Sequence, residues 1–381
     1  MQNPITVKQN KQSDKESSSP FFSEEKNQSE HFFSQSDAKE AFFKPSTASV
    51  GAAVQTKKES EGHEKGSNDK EGVDSGERVS SNLTPLAIQQ KKDEGVAAKV
   101  LAVAQKRDVT LPEKLGPTQQ GDIANKGEGD AHAFSPTDVN QGSIGDCYFL
   151  ASLIAVSKTS PNLIKNAIDD NGNGTYTVKL FTVTEEKGWL WGTNRVFTPT
   201  KITLFPTFPM AVNGKDGANP NANANPAHAH GGNVNAKGET ELWVRLVEKA
   251  YALLLGSYSA IGKGGLGANA LEALTGKPYK EETMSNDLPG RKKRIIEMVK
   301  KGYPVEVATN KQSINTMSDD DKKFARENSI VIGGNHSYAV MAANKDSITL
   351  RNPWGSGARN AEPTLTWAQF DAMFWQFSNR Q

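Results

Sequence analysis

The sequence predicts an α+β domain in the later two-thirds of a 381-residue chain, behind a long polar segment. Three stretches carry that prediction. Tyr148, Phe149, Leu150, Leu153, Ile154 and Val156 follow the lone Cys147 with helical character. Glu239 to Gly256 is an amphipathic helix, with Trp243, Leu246, Val247, Ala250 and Leu254 recurring at three and four. Ser329 to Met341 and Ser347 to Asn352 read as strands on either side of the turn Asn344-Lys345-Asp346. Helices gathered in one part and strands in another is the segregated order of an α+β fold.

Composition places the boundary of that domain. The chain is 35% apolar with a mean hydropathy of −0.61, low values for its length. All six Trp and all seven Tyr lie at or after Tyr148. Residues 1–133 are therefore expected to be a disordered N-terminal region. A helix over 83–107 (Ala97, Val100, Leu101, Val103 and Ala104) is a local exception, 116–129 reads as polar linker, and folding begins near Phe134. The pairs Phe21-Phe22, Phe32-Phe33 and Phe42-Phe43 either dock a partner or an export chaperone, or recur by chance in a frayed helix. A formal charge of +1 gives no case for nucleic acid. One cysteine excludes an intramolecular disulfide and a Cys-based zinc site. No apolar run approaches the roughly 18 residues of a membrane span, and the N-terminus lacks the apolar core of a cleavable signal peptide.

Within the domain, Gly142 and Gly145 allow a tight approach to the helix that opens at Cys147. Asp146 is placed to cap its first amides, and the helix dipole would favour thiolate over thiol. A lone cysteine is by default a buried structural residue, so the case for a nucleophile needs partners. Asp169 to Gly174 has the opening of a calcium loop, but Leu180 stands where the bidentate acid belongs, so it reads as a turn into a hairpin. More strand follows over 195–205. Residues 213–238, with His228 and His230, read as an exposed insertion without a metal partner. Ile261 to Gly276 lacks the ending of a phosphate loop and reads as a chain reversal beside the site. Arg291-Lys292-Lys293-Arg294 opens a helix, with a solvated face as the default reading and a nuclear-localisation signal as the weak alternative.

The partners come from the last strands. If Asn344-Lys345-Asp346 forms the loop, Ala343 pairs with Ser347, Asn352 lies opposite Tyr338, and His336 is its diagonal neighbour on the same face. His336 and Asn352 can then hydrogen-bond, and with Cys147 they read as general base, orienting group and nucleophile.

Three blocks now carry a resemblance. Gln141 to Cys147, Asn335-His336-Ser337-Tyr338, and Arg351-Asn352-Pro353-Trp354-Gly355 resemble the active-site blocks of the calpain cysteine proteases. Glu241 to Tyr251 resembles the family's long helix, and Leu365 to Phe377 its closing Trp/Phe-rich segment. The resemblance implies a papain-like fold, with a helical half (134–277) bearing Cys147 and a β-rich half (278–381) bearing His336 and Asn352. It implies an endopeptidase acting on protein substrates, with Gln141 in the oxyanion hole and Trp354 shielding the His336–Asn352 hydrogen bond. Tyr148 departs from the family's usual Trp. Asp138 matches a calcium ligand of animal calpains, but the acidic loop after Trp354 has shrunk to Gly355 to Glu362. The expectation is accordingly no cofactor and no metal, with Cys147 and His336 within hydrogen-bond reach in the metal-free fold. The chain stops at the end of that core, so the family's frequent C-terminal regulatory domains are expected to be missing. The rival readings are a silent papain-like binding module and an acyl transferase or deamidase on the same scaffold. The compartment is left as cytoplasm or export without a cleaved signal, for example as a bacterial effector delivered to a host cell.

Overall fold

A computed structural model describes residues 85–128, 130–187, 193–210, 228–235, 237–283, 288–309 and 314–381, with side chains omitted over 85–95 and at 288. The Phe-Phe pairs and most of the expected disordered region lie outside the described residues, as does most of the 213–238 insertion. A helix does form near 83–107. Helix α1 spans Pro85–Thr110.

The chain after α1 is not a free linker. Asp108 pairs with Lys249, whose side chain is fully buried and also donates to Phe205 O and Thr207 Oγ1. The strap 116–123 is bonded to the core at Gly116 N, Gln119 N and the carbonyls of Asp122 and Ile123. Ala104 and Leu111 are buried. The fold therefore starts about thirty residues before Phe134. The expected linker failed because backbone hydrogen bonds, invisible in composition, hold a polar strap as firmly as side chains hold an apolar one.

Helix α2 (Cys147–Thr159) is apolar all round and buried from Tyr148 to Ser157. Helix α3 (Pro161–Lys165) turns the chain into a three-stranded antiparallel sheet of β1 (Ile168–Asp170), β2 (Tyr176–Lys187) and β3 (Thr193–Leu204). The Asp169–Gly174 stretch is the β1–β2 turn. Gly172 and Gly174 take positive φ, and Asp170 Oδ1 accepts from Gly172 N rather than facing an ion. Helix α4 (Trp243–Leu255) ends on Gly256 at φ 105°. It is followed by α5 (Tyr258–Ile261) and α6 (Gly267–Thr275). The glycine-rich stretch is thus a short reversal and then a helix. Gly265 admits the Tyr148 ring, and a Cβ there would overlap it.

The second sheet has six antiparallel strands in the order β4-β9-β5-β6-β7-β8. They are β4 (Tyr279–Thr283), β5 (Glu306–Thr309), β6 (Ser337–Ala343), β7 (Ser347–Arg351), β8 (Thr364–Thr366) and β9 (Phe374–Arg380). Helices α7 (Leu288–Lys300), α8 (Asp319–Glu327) and α9 (Trp367–Met373) accompany it. Its core joins Tyr338, Val340, Leu350, Phe370, Phe374 and Phe377. The basic run on α7 is a solvated face only in part, with Lys293 exposed. Arg291 is buried and paired with Asp371, Lys292 lies over Trp367, and Arg294 meets Glu282 and the Phe377 ring. The two arginines find acids and Lys292 finds an aromatic ring, pairings that run composition cannot show.

Candidate active site

The β6–β7 ladder sets the geometry. Ala339 pairs with Arg351 and Val340 with Leu350, the register expected from the sequence. A bulge between Val340 and Ala342 then shifts it, so Ala343 pairs with Ile348 rather than Ser347. The turn thus departs from expectation by one residue, and the bulge absorbs that residue before the ladder reaches the site.

His336 and Asn352 meet as a result. His336 Nε2 lies 2.9 Å from Asn352 Oδ1. Asn352 is wholly buried, donates from Nδ2 to Ser329 O (2.9 Å), donates from its own N to Ala361 O, and accepts from Trp354 N at Oδ1 (3.0 Å). With both ends of the amide fixed, Oδ1 faces the imidazole. It accepts Nε2–H, which leaves the lone pair of the neutral ring on Nδ1. The Trp354 ring covers His336 at 4.7 Å and Tyr338 meets its edge at 4.9 Å. Thr309 locks the His336 backbone, accepting from its N at Oγ1 (3.1 Å) and donating N–H to its carbonyl (2.9 Å). Thr309 and Ser329 escaped the sequence reading. Ser329 carries φ 51°, which no residue pattern announces.

Cys147 opens α2, and α2 packs against β6. Its thiol has the backbone amides of Ser337 and Tyr148 as neighbours, and Ser337 directly follows His336. Cys147 and His336 are expected within hydrogen-bond reach; among the described residues no hydrogen bond joins Cys147 Sγ to His336, whose ring bonds Asn352. The surroundings of the thiol also weigh against the thiolate expectation. Burial pushes the Cys147 thiol up to about 12, with the charges of Asp146 and Glu306 adding to it against the two amides. Burial also pushes His336 down to about 4, against the Asn352 hydrogen bond. Desolvation thus opposes both the thiolate and the imidazolium, against the pull of one helix end.

Gln141 donates Nε2–H to Ile144 O (2.7 Å) and its backbone N–H to Pro353 O (2.8 Å), so its loop is tied to the turn after Asn352. One amide hydrogen remains for a ligand. Asp146 does not cap α2. It makes no side-chain cap bond, and both its carboxyl oxygens are buried without a donor. Its side chain has Glu248 and Gln141 as polar neighbours instead. The first amides of α2 are thereby left uncapped by a side chain beside Cys147.

Residues 220–376 match the calpain family of cysteine proteases. That segment is a calpain-family cysteine protease domain. The matched segment holds His336 and Asn352 and begins after Cys147. The calpain-type cysteine protease DEK1 of Arabidopsis thaliana is 30% identical over 242 residues, covering 60% of this chain and 9% of its own length. Calpain-9 of Mus musculus is 28% identical over 244 residues, covering 62% and 31%. Calpain-13 of Rattus norvegicus is 26% identical over 247 residues, covering 63% and 31%. The chain thus spans about a third or less of the length of these relatives.

The family likeness brings calcium with it, and the residues around Asp138 do not fit a divalent ion. Asp138 Oδ2 accepts from Ser135 N (2.7 Å) and Trp243 Nε1 (3.1 Å). Asn233 Nδ2 reaches Asp138 Oδ1 (3.4 Å), Asp130 Oδ2 (3.0 Å) and Asn125 O (3.0 Å). Glu241 accepts from Asn125 N and Asn233 N. A carboxamide nitrogen thus occupies the centre of the acidic cluster, where a cation would need at least six free oxygens. Burial also raises Asp138 to about 6 and Glu241 to about 8. In the calpain core's other loop, Glu362 is taken by Arg351 (2.7 Å). A depression of about 770 Å³ opens between the cluster and that loop, walled by Asp130, Asn233, Arg351 and Arg359; neither Cys147 nor His336 lines it.

Proposed function

We propose that this calpain core is a cysteine endopeptidase working through Cys147, His336 and Asn352 without calcium. The observation that carries it is the 2.9 Å bond between His336 Nε2 and a buried, doubly anchored Asn352, which leaves Nδ1 as the free base. Because the resting pair is neutral, the proton leaves Sγ for Nδ1 as sulfur attacks the peptide carbonyl. The oxyanion is met by the Cys147 N–H and the spare hydrogen of Gln141 Nε2, each such donor being worth about 3 kcal/mol of barrier. His336 returns the proton to the leaving amine, and water, deprotonated by the same ring, opens the thioester. Trp354 keeps bulk water from the His336–Asn352 bond. Calcium has no step here, in keeping with the amide-filled cluster around Asp138.

A second reading, a silent binding module, draws on the missing bond between Cys147 and His336. A thiol-reactive peptide probe, followed by mass spectrometry of a denatured protein mixture incubated with the chain, separates the readings. New peptide termini, equal in excess chelator and in millimolar calcium, are expected, and they should vanish in Cys147→Ala. Labelling without new termini overturns the protease reading, and a loss in chelator restored by calcium overturns the calcium part alone.

A further inference from the structure

The buried acid that failed to cap α2 has a partner. Asp146 and Glu248 are both wholly buried, one at the start of α2 and the other on α4. Glu248 accepts one backbone donor, Ala229 N, at 3.0 Å from each of its oxygens, and neither oxygen of Asp146 meets any donor. Arg245 stands near but forms no ion pair with either acid among the described residues: its Nη atoms go to Gln119 Oε1 and to the carbonyls of Thr240 and Glu241, and its buried Nε has no partner. The remaining groups facing the two acids are Cys147 and Tyr148 on α2, Tyr251 on α4, Tyr258 on α5, and Gln141. The three phenols are held well above their ordinary range by burial, so they stay neutral. The two ends are in register, since Phe149 stacks on Tyr251 at 4.0 Å, one turn along α4 from Glu248.

Two carboxylates this deep without a committed cation cannot both be ionised. A second proton is not needed to give Asp146 a donor. One proton satisfies the set, because an acid O–H donated across the gap gives Asp146 the partner it lacks. We propose that Asp146 and Glu248 share a single proton and act together as positioning residues, joining the Cys147 turn and the Gln141 loop to α4. Their role rests on the protease reading, but the bond itself can be tested without cleavage.

The test uses the full chain, with Glu248→Gln and Glu248→Ala, following the thermal midpoint and iodoacetamide alkylation of Cys147 across neutral pH. The sign follows from burial, which raises Asp146 to about 7 and Glu248 well above the ordinary carboxylate range. Raised acids stabilise the fold below their unfolded values and lose that contribution as pH rises through the folded one. Glu306, raised to about 8, gives a slope of the same sign in every variant, so the comparison is between proteins. In Glu248→Gln the introduced amide donates at any pH. The wild-type midpoint should therefore fall across neutrality more steeply than that of Glu248→Gln, whose alkylation stays within about threefold of wild type. Glu248→Ala leaves a buried charge unpaired and should lower the midpoint by roughly 10 °C. Equal pH slopes in wild type and Glu248→Gln, or equal losses in the two variants, overturn the shared proton. Failure to cleave any substrate while these midpoints behave as stated overturns the protease reading and leaves the pair standing.

Discussion

Asn233→Ala probes the claim that a side-chain amide holds what a metal would otherwise hold. The change removes the Nδ2 contacts to Asp138, Asp130 and Asn125 O but keeps the backbone bond from Asn233 N to Glu241. Two of the lost acceptors are carboxylates, and a hydrogen bond to a charged group contributes about 1.5–3 kcal/mol. The site is partly exposed and the 3.4 Å contact is long, so the low end applies: about 3 kcal/mol in all. For a domain of this size that lowers the thermal midpoint by roughly 6–12 °C. Scanning calorimetry of the full chain in excess chelator measures it. Millimolar calcium should leave the wild-type midpoint unchanged, because the amide is in the way, and should recover part of the loss in the variant. A variant melting within about 2 °C of wild type would falsify the clamp. A wild-type midpoint that climbs with calcium would show that the cluster opens to metal after all.

Three further outcomes are expected. Asn352→Ala frees the imidazole and should lower kcat by about 10²-fold while KM stays near the parent value, measured on a peptide substrate; an unchanged kcat refutes the orienting role. Gly267→Ala puts a Cβ into Glu306 Oε2, which is buried and bonded to Ser378 Oγ at 2.9 Å, and should cost about 1–3 kcal/mol in denaturant melts. Burial lowers His336 to about 4 against an unfolded value of 6.5. Its contribution to stability is therefore present above 6.5 and lost as pH falls through 4. The acid limb of kcat/KM should lie near 4 for the same reason, and a limb at 6.5 would show a solvated ring.

The sequence makes the ladder beside the site legible because strand period and turn residues are local facts. Alternation in Ser337 to Ala343 and Ser347 to Arg351 sets the faces, and only the bulge at the far end is hidden. Asn352 and His336 can thus be joined on paper. Asp146 cannot be placed that way, because an acid before a helix looks like a cap whether its side chain turns outward to the amides or inward to Glu248. That choice is made by α4, about a hundred residues later. Arg291 is opaque for the same reason, since its partner Asp371 lies 80 positions away. Asn140 is equally silent in the sequence, being one polar residue before a motif.

Asn140 nevertheless ties the segment before Cys147 to the turn after Asn352. Its Oδ1 accepts Ser356 N at 2.7 Å, and its backbone pairs both ways with His230. Gly355, at φ 54°, has no Cβ to strike that same oxygen. One residue on, Gln141 N donates to Pro353 O. The segment leading to Cys147 is therefore stitched to the turn that follows Asn352 by two short neutral hydrogen bonds. On the opposite flank, Ala268 N at the start of α6 donates to Glu281 Oε2, and Ser378 Oγ bridges Glu281 and Glu306. Bonds of this kind are made on folding and carry no ion to be gained or lost. On the proposed reading, a site held by such bonds needs no ion, and the buried acids that flank Cys147 bear on its chemistry. Asp146 lies before the thiol and Glu306 behind it, and both raise the energy of the thiolate. In the proposed reaction this would keep Cys147 protonated until a substrate and His336 draw the proton off together.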